Sequence, residues 1–338
     1  MRILVVTNMY PTADAPAAGL FVHDHVRALE QQGLTVDVVA VHGRHSRAQY
    51  ATALPALARQ LRRGTFDLVH AQHTYCAVQV ALAGALARRR PNVLLTMHEG
   101  ESFLPAGIRD PEADRIRQLV YSKRIKRWAA GLADYVVTVA PGLAEALSLH
   151  TPHTVIPPGV DVDRFRPLDR DGCKGRLGLP RDVSIVFFPA SPNRDFTKGY
   201  SVFMQAVGLL ELPVHVVTAG GIHPRDMPLY MNAADVVVQA SRFEASPMVV
   251  KEAMACDRPL VSTDVGDVRE LFADVPGCFM SSHDPEDMAD KIAMAAKFAG
   301  SQPGGRARIL ERQLTVQAVA KRYIALYEQI ADSPRRKP

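Results

Sequence analysis

No run of apolar residues in this chain approaches the roughly 18 that a membrane-spanning helix needs. The longest candidate, AVQVALAGALA from Ala77, is too short and ends in Arg88, Arg89 and Arg90. The opening RILVV meets Asn8 and Pro11 after a brief apolar run, so it reads as a first strand and not as a signal peptide. Cysteine is scarce: Cys76, Cys173, Cys256 and Cys278 are far apart and show no metal-ligand spacing. They are expected to be reduced and structural, which points to a cytoplasmic protein. No G-x-G-x-x-G follows a first strand, which disfavours a nicotinamide dehydrogenase. A Walker lysine motif, a nucleophile elbow and H-E-x-x-H are also missing, and there is no internal repeat or low-complexity tract. A net charge of +5 suits an anionic small molecule or an anionic surface but is too mild to argue for nucleic acid.

What is present is a pattern that runs twice. RILVV, TVDVVAV, FDLVHA, NVLLTM and ADYVVTVA are short apolar runs separated by amphipathic helical stretches. They lack clean alternation, as expected of strands covered on both faces. Strand-helix-strand in series predicts a parallel, doubly wound α/β sheet. The pattern restarts at VSIVFFPAS near residue 184 and continues through PVHVVTA, ADVVVQAS and PLVST. The 338 residues are comfortable for two domains. The expectation is two Rossmann-like lobes facing a cleft, residues 1–167 and 168–313, with a terminal helix at about 314–332 packing back on the first. The charged, Pro- and Gly-rich stretch DVDRFRPLDRDGCKGRLGLPRD (161–182) reads as the hinge.

The stretch EASPMVVKEAMAC (244–256) places Glu244 in a turn and Glu252 inside a helix. Ser246 is a good N-cap and Pro247 suits the first helical position, which would leave the amides of Met248 and Val249 as donors to an anion. Carboxylates accept paired hydrogen bonds from vicinal hydroxyls, so Glu244 and Glu252 could flank a sugar, a diphosphate and a ribose. On the residues alone, a solvated helix glutamate and a helix-start counter-charge explain the pair equally well.

RFEASPMVVKEAMACDRPLVSTDVGDVREL resembles the signature region of glycosyltransferase family 4, retaining group 1 enzymes of GT-B fold. MYPTADAPAAGLFVHDHVRAL, FDLVHAQHTY, TMHEG, VIPPGVDVDRF and YIALYEQI are similar to further segments of that family, so the resemblance covers most of the chain. It implies that Glu252 holds the ribose of a nucleotide sugar and Glu244 contacts the transferred sugar. Ser246, Met248 and Val249 would offer turn amides to the donor. Arg194 and Lys198, in SPNRDFTKGY, would stabilise the departing diphosphate; read alone they could be solvated loop charges. His98 in TMHEG would meet the sugar at the reaction centre, against a buried structural histidine as the plainer reading. Gly19 would let backbone approach the donor phosphate or acceptor, or is simply a turn glycine.

The pattern departs from the family at Ala245-Ser246-Pro247, where Gly-Phe-Gly is usual, and at Glu99, Asp257 and Val265-Gly266. The carboxyl lobe also lacks one helix-strand unit. The resemblance therefore implies a hexosyltransferase of polysaccharide biosynthesis that uses a nucleotide-sugar donor and a glycan or glycolipid acceptor. It would need no metal, no other cofactor and no nucleic acid. A sugar-nucleotide epimerase or hydrolase of the same fold, or a non-catalytic nucleotide-sugar-binding protein, stays open. DRIRQLVYSKRIKRWAAG reads as a basic helix whose apolar set Ile116, Leu119, Val120, Ile125 and Trp128 packs inward. Peripheral contact with the inner membrane face is the other reading of that helix. His23, His25, His70 and His73 show no metal-ligand geometry.

Overall fold

In the computed structural model, residues 1–41, 48–98, 100–103 and 122–332 are described. The chain divides into two compact units. The first comprises Met1–Ser102, Asp114–Gly159 and Val316–Pro338, the second Phe103–Ala113 and Val160–Thr315. Glu99, Ile116, Leu119 and Val120 lie outside the described residues.

In the first unit the order is β1 (Arg2–Thr7), α1 (Leu20–Gln31), β2 (Thr35–Ala40), α2 (Ala48–Arg63), β3 (Leu68–Ala71) and α3 (Thr74–Ala87). It continues with β4 (Val93–Met97), α4 (Lys123–Ala130), β5 (Tyr135–Thr138), α5 (Leu143–Leu147) and β6 (His153–Val155). The six strands are parallel in the order β2-β1-β3-β4-β5-β6. Ile3, Val5, Leu68, Leu94 and Val137 are fully buried, which accounts for strands without polar alternation. The second unit runs α6 (Arg170–Leu177), β7 (Ser184–Phe188), α7 (Asp195–Lys198), α8 (Tyr200–Gly208), β8 (Val214–Thr218), α9 (Met227–Ala233) and β9 (Val236–Gln239). It then adds α10 (Met248–Ala255), β10 (Leu260–Thr263), α11 (Val268–Phe272), β11 (Cys278–Ser281), α12 (Pro285–Ala296) and α13 (Gly305–Glu311). Its five strands are parallel in the order β11-β10-β9-β7-β8. The long helix α14 (Val316–Asp332) returns to the first unit and packs on α1 through Val319, Tyr323 and Tyr327.

Two expectations change. The stretch 161–182 is a packed part of the second unit, not a free hinge. Val162 and Phe165 join that unit's core. Arg306 donates to the carbonyls of Val162, Phe165 and Ala255, each at 3.0 Å. Asn232 accepts from Leu168 N and donates to Arg166 O. The Asp235 carboxylate takes Arg170 and the buried Lys174 ammonium, both at 2.7 Å, and the Ile185 amide at 2.8 Å. Two of the cations in the stretch that looked like a linker, Arg170 and Lys174, are thus held by an internal carboxylate. Trp128, expected in an inward apolar set, is 58% exposed, while Lys126, Ala129 and Ala130 are the buried residues of α4. The four cysteines are free thiols.

Asp235→Ala should therefore cost about 3–5 kcal/mol, because it strands the Lys174 ammonium without a counter-charge. Lys174→Met, which keeps the volume and leaves Arg170 on the carboxylate, should cost less. Denaturant unfolding of both variants measures the difference.

Candidate functional site

The second unit gathers its site residues on loops that leave the carboxyl ends of its strands. After β7, Ser191 caps a short 3-10 turn, Pro192–Arg194, and α7 follows. Gly199 ends α7 at φ +70°, and a Cβ there would stand 2.2 Å from the Ala240 carbonyl oxygen. The backbone of this loop therefore lies directly on the loop after β9, and the Arg242 amide donates to Thr197 O at 3.0 Å. That contact brings Lys198 to Glu244. The ammonium donates to Glu244 Oε1, which also accepts from Ser241 Oγ at 3.0 Å. Oε2 has no protein partner among the described residues. Both side chains remain about a quarter open, at 25% and 23%. Arg194 is exposed and its guanidinium has no hydrogen bond or ion pair among the described residues.

The helix start differs from expectation. Pro247 is the N-cap of α10, not its first residue, and contributes no side-chain acceptor. The Ser246 hydroxyl turns instead to Asp267 Oδ2 at 2.6 Å and accepts from Lys251 Nζ. Lys251 also pairs with Asp267 at 3.1 Å, with side-chain exposures of 0% and 4%. Burial pulls the Lys251 ammonium below its ordinary range, and the Asp267 charge opposes that shift. Asp267 Oδ1 is buried with no partner among the described residues. A second backbone contact closes the arrangement: Gly266, at φ +59°, would put a Cβ 2.1 Å from the Ala245 carbonyl oxygen. Without a capping side chain, the Met248 and Val249 amides are open donors among the described residues, at the positive end of α10. Glu252 is half-buried about one turn further on. Burial pushes the neighbouring Cys256 thiol up to about 12, with Arg258 opposing and Glu252 adding to the shift.

Lys251 and Asp267 were missed in the sequence. A lysine inside the apolar run MVVKEAMA was the available signal, since such a position can only be buried with a counter-charge.

The other candidates, His98 and Gly19, belong to the first unit. Gly19 is the left-handed N-cap of α1 at φ +69°, where a Cβ would stand 2.2 Å from the Met9 carbonyl oxygen. Its small size is thus already required by the fold. His98 follows β4, rests on the Phe21 ring at 4.8 Å, and its Nε2 lies 2.9 Å from Gln72 Oε1. His98, Gln72, Phe21, His25, Pro158 and Tyr323 line one pocket. Beneath it, His70 Nδ1 meets Tyr327 Oη and its Nε2 meets Thr96 Oγ1, both at 2.7 Å, while Tyr323 Oη lies 3.1 Å from Thr96. The His25 ring keeps part of its surface open, but its Nε2 is buried with no partner among the described residues. Burial first, and then the neighbouring histidines, pull His25 down to about 3 and His70 well below 6.5. The spacing of Tyr323 and Tyr327 on one helix face was the available signal for this cluster. No cluster of three or more His, Cys, Asp or Glu side chains fit to bind a metal ion occurs among the described residues.

Residues 18–164 match the model of Glycosyltransferase Family 4, and residues 190–297 that of Glycosyl transferases group 1. The D-inositol 3-phosphate glycosyltransferase of Xylanimonas cellulosilytica is 28% identical over 330 aligned positions, covering 81% of this chain and 74% of that protein. Among solved structures, sucrose-phosphate synthase from Thermosynechococcus elongatus superposes with a TM-score of 0.76 at 18% identity, over 98% of this chain and 99% of that one. Anabaena Alr3699/HepE, in complex with UDP and glucose, gives 0.66 at 19% identity, over 97% and 99%.

The histidine cluster makes stability depend on pH. His25 and His70 are neutral in the fold, and both take up a proton on unfolding once pH falls below about 6.5. The unfolded state then binds more protons, so stability drops with falling pH, by about 1.4 kcal/mol per pH unit for each group. Denaturant unfolding at pH 7 and pH 5 should show this loss. His25→Phe should make the dependence shallower.

Proposed function

We propose, for a chain that belongs to the group 1 glycosyltransferases of family 4 and has their GT-B fold, that it moves a hexosyl unit from a nucleotide-diphosphate sugar to a hydroxyl of a glycan or glycolipid. The transfer retains configuration and needs no metal. The observation that carries this reading is the Lys198–Glu244 pair, close in sequence to Arg194 and to the open amides of α10. This arrangement offers cations and backbone donors to a diphosphate, and a carboxylate oxygen, Glu244 Oε2, to a sugar hydroxyl. The half-buried Glu252 suits the vicinal hydroxyls of a ribose.

The bond from the sugar C1 to the diphosphate oxygen breaks, and its electron pair stays on the leaving oxygen. Lys198, Arg194 and the Met248 and Val249 amides meet that charge as it develops. The acceptor hydroxyl forms the new C1–O bond on the same face and gives its proton to the leaving phosphate. No protein carboxylate has to act as nucleophile. Before the donor arrives, Glu244 neutralises part of the Lys198 charge, so the incoming anion competes for an ammonium that is already positioned. In the first unit, His98 is held by Gln72 and Phe21 and lines that unit's own pocket, where its ring nitrogen suits a ligand hydroxyl. The UDP and glucose bound by Alr3699/HepE make uridine-diphosphate sugars the first donors to try. The name of the D-inositol 3-phosphate glycosyltransferase suggests phosphorylated polyols among the acceptors.

Thermal unfolding across a panel of nucleotide sugars should identify the donor, since a ligand of the folded state alone raises the transition. With that donor, Glu252→Ala should weaken binding by about 1.5–3 kcal/mol in calorimetry. Unchanged affinity in a folded variant would remove Glu252 from the donor site.

Lys198→Ala should lower kcat by about 10²–10³, with a smaller rise in KM, because the ammonium matters most as the leaving charge develops. A normal kcat with only a raised KM would assign the leaving-group role to other groups.

A further inference from the structure

One surface of the first unit has no part in the proposed transfer. Right-handed crossovers place α2, α3, α4 and α5 in a single layer on one face of the sheet, each packed on the next. Along α3, TYCAVQVALAGALA contains no charged residue. A helix that is apolar all round is ordinarily covered on all sides. This one buries Cys76, Val80 and Ala83 inward but leaves Leu82 48% and Leu86 57% exposed on its outer side. On the adjacent α4, Trp128 is 58% exposed.

Among the described residues of α2, α3, α4 and the turn after α3, the charges have one sign. Arg59, Arg62 and Arg63 on α2, Arg88, Arg89 and Arg90 after α3, and Lys123, Arg124 and Arg127 on α4 are all exposed. No aspartate or glutamate occurs within residues 48–66, 68–98 or 122–133. Arg89 donates to Leu61 O and Gly64 O, which ties the end of α3 to the end of α2, and Arg90 reaches Asp134 at 3.6 Å.

We propose that the outer face of α2, α3 and α4 is a docking surface for an anionic lipid bilayer. Leu82, Leu86 and Trp128 enter the headgroup boundary, and the arginines and lysines lie against lipid phosphates. Apolar contact and basic charge supply the two contributions that interfacial binding needs, and a tryptophan suits a boundary that is apolar on one side and wet on the other. At 14 residues α3 is too short to span a bilayer, so it lies on the surface. A second copy of this chain is a poorer occupant, because it would bring two wholly basic faces together. A nucleic acid would use the charges and leave the three large apolar side chains in water.

Trp128 is the only tryptophan in the chain, so its emission reports on this surface alone. The full chain should float with vesicles of phosphatidylcholine containing about a third phosphatidylglycerol, but not with phosphatidylcholine alone, and about 0.5 M salt, where the Debye length is only a few ångströms, should release it. Trp128 emission should shift to the blue on binding and be quenched by brominated lipid. Leu82→Ser with Leu86→Ser, and separately Arg124→Glu with Arg127→Glu, should each weaken vesicle binding at least tenfold while far-UV circular dichroism is unchanged. Absence of flotation, or flotation with Trp128 emission unchanged, would overturn the proposal. So would a dimer in sedimentation velocity that Leu86→Ser disperses, with no vesicle binding.

Discussion

The buried pair of Lys251 and Asp267 is the interaction on which the second unit's site depends. Its two members come from α10 and from the loop after β10, and both grip the Ser246 hydroxyl. The turn that carries Glu244 is therefore tied to α10 at one end and to the neighbouring loop at the other. A buried ion pair adds little net stability, since desolvation offsets most of the Coulombic gain. Its effect here is positional. Removing either member would leave a charge or a hydroxyl without its partner and free the turn to move.

Backbone contacts complete what the ion pair begins. Gly199 against Ala240 and Gly266 against Ala245 bring loops together more closely than any side chain would permit. Through the first contact Lys198 reaches Glu244, and the second presses the Glu244 turn against the loop that carries Asp267. Rigid placement of this kind lets a cation act on developing charge without first paying for reorganisation. It also explains why Ser246 is not a helix cap. With its hydroxyl held by Lys251 and Asp267, the first amides of α10 keep their hydrogen-bonding capacity for a ligand.

Charge is handled differently in the first unit. There the polar centre is a set of neutral aromatic and imidazole groups, His70 with Thr96, Tyr323 and Tyr327, packed beneath the pocket that His98 and Gln72 border. Burial keeps His25 and His70 uncharged, so this floor offers hydrogen bonds without net charge. Gln72 fixes the His98 ring from one side and Phe21 from another. Net basic charge is carried instead on the outer layer, on α2, on α4 and on the arginines just after α3.

Much of the fold was legible in the chain because strand and helix preferences are local. Short apolar runs without alternation announced parallel strands, and VSIVFFPAS announced a second sheet. The two glutamates of 244–256 and the cations of SPNRDFTKGY were legible as candidates, and two of them, Glu244 and Lys198, meet in the fold. Pairings across long sequence separations were not legible, because sheet order and register decide them. Lys198 and Glu244 are 46 residues apart, and His70 and Tyr327 are 257 apart. The same limit explains the misread segments. The stretch 161–182 looked like a solvated hinge until Asp235, on a different part of the chain, was seen to hold Arg170 and Lys174, and Asn232 to bond its backbone. Trp128 looked like core until packing buried Ala129 and Ala130 in its place. By itself the sequence determined two parallel α/β sheets and the types of residue that stand at their carboxyl ends. Only the tertiary structure decided which of those residues hold one another and which face solvent, because a charge or an aromatic ring has no partner until distant segments are folded against it.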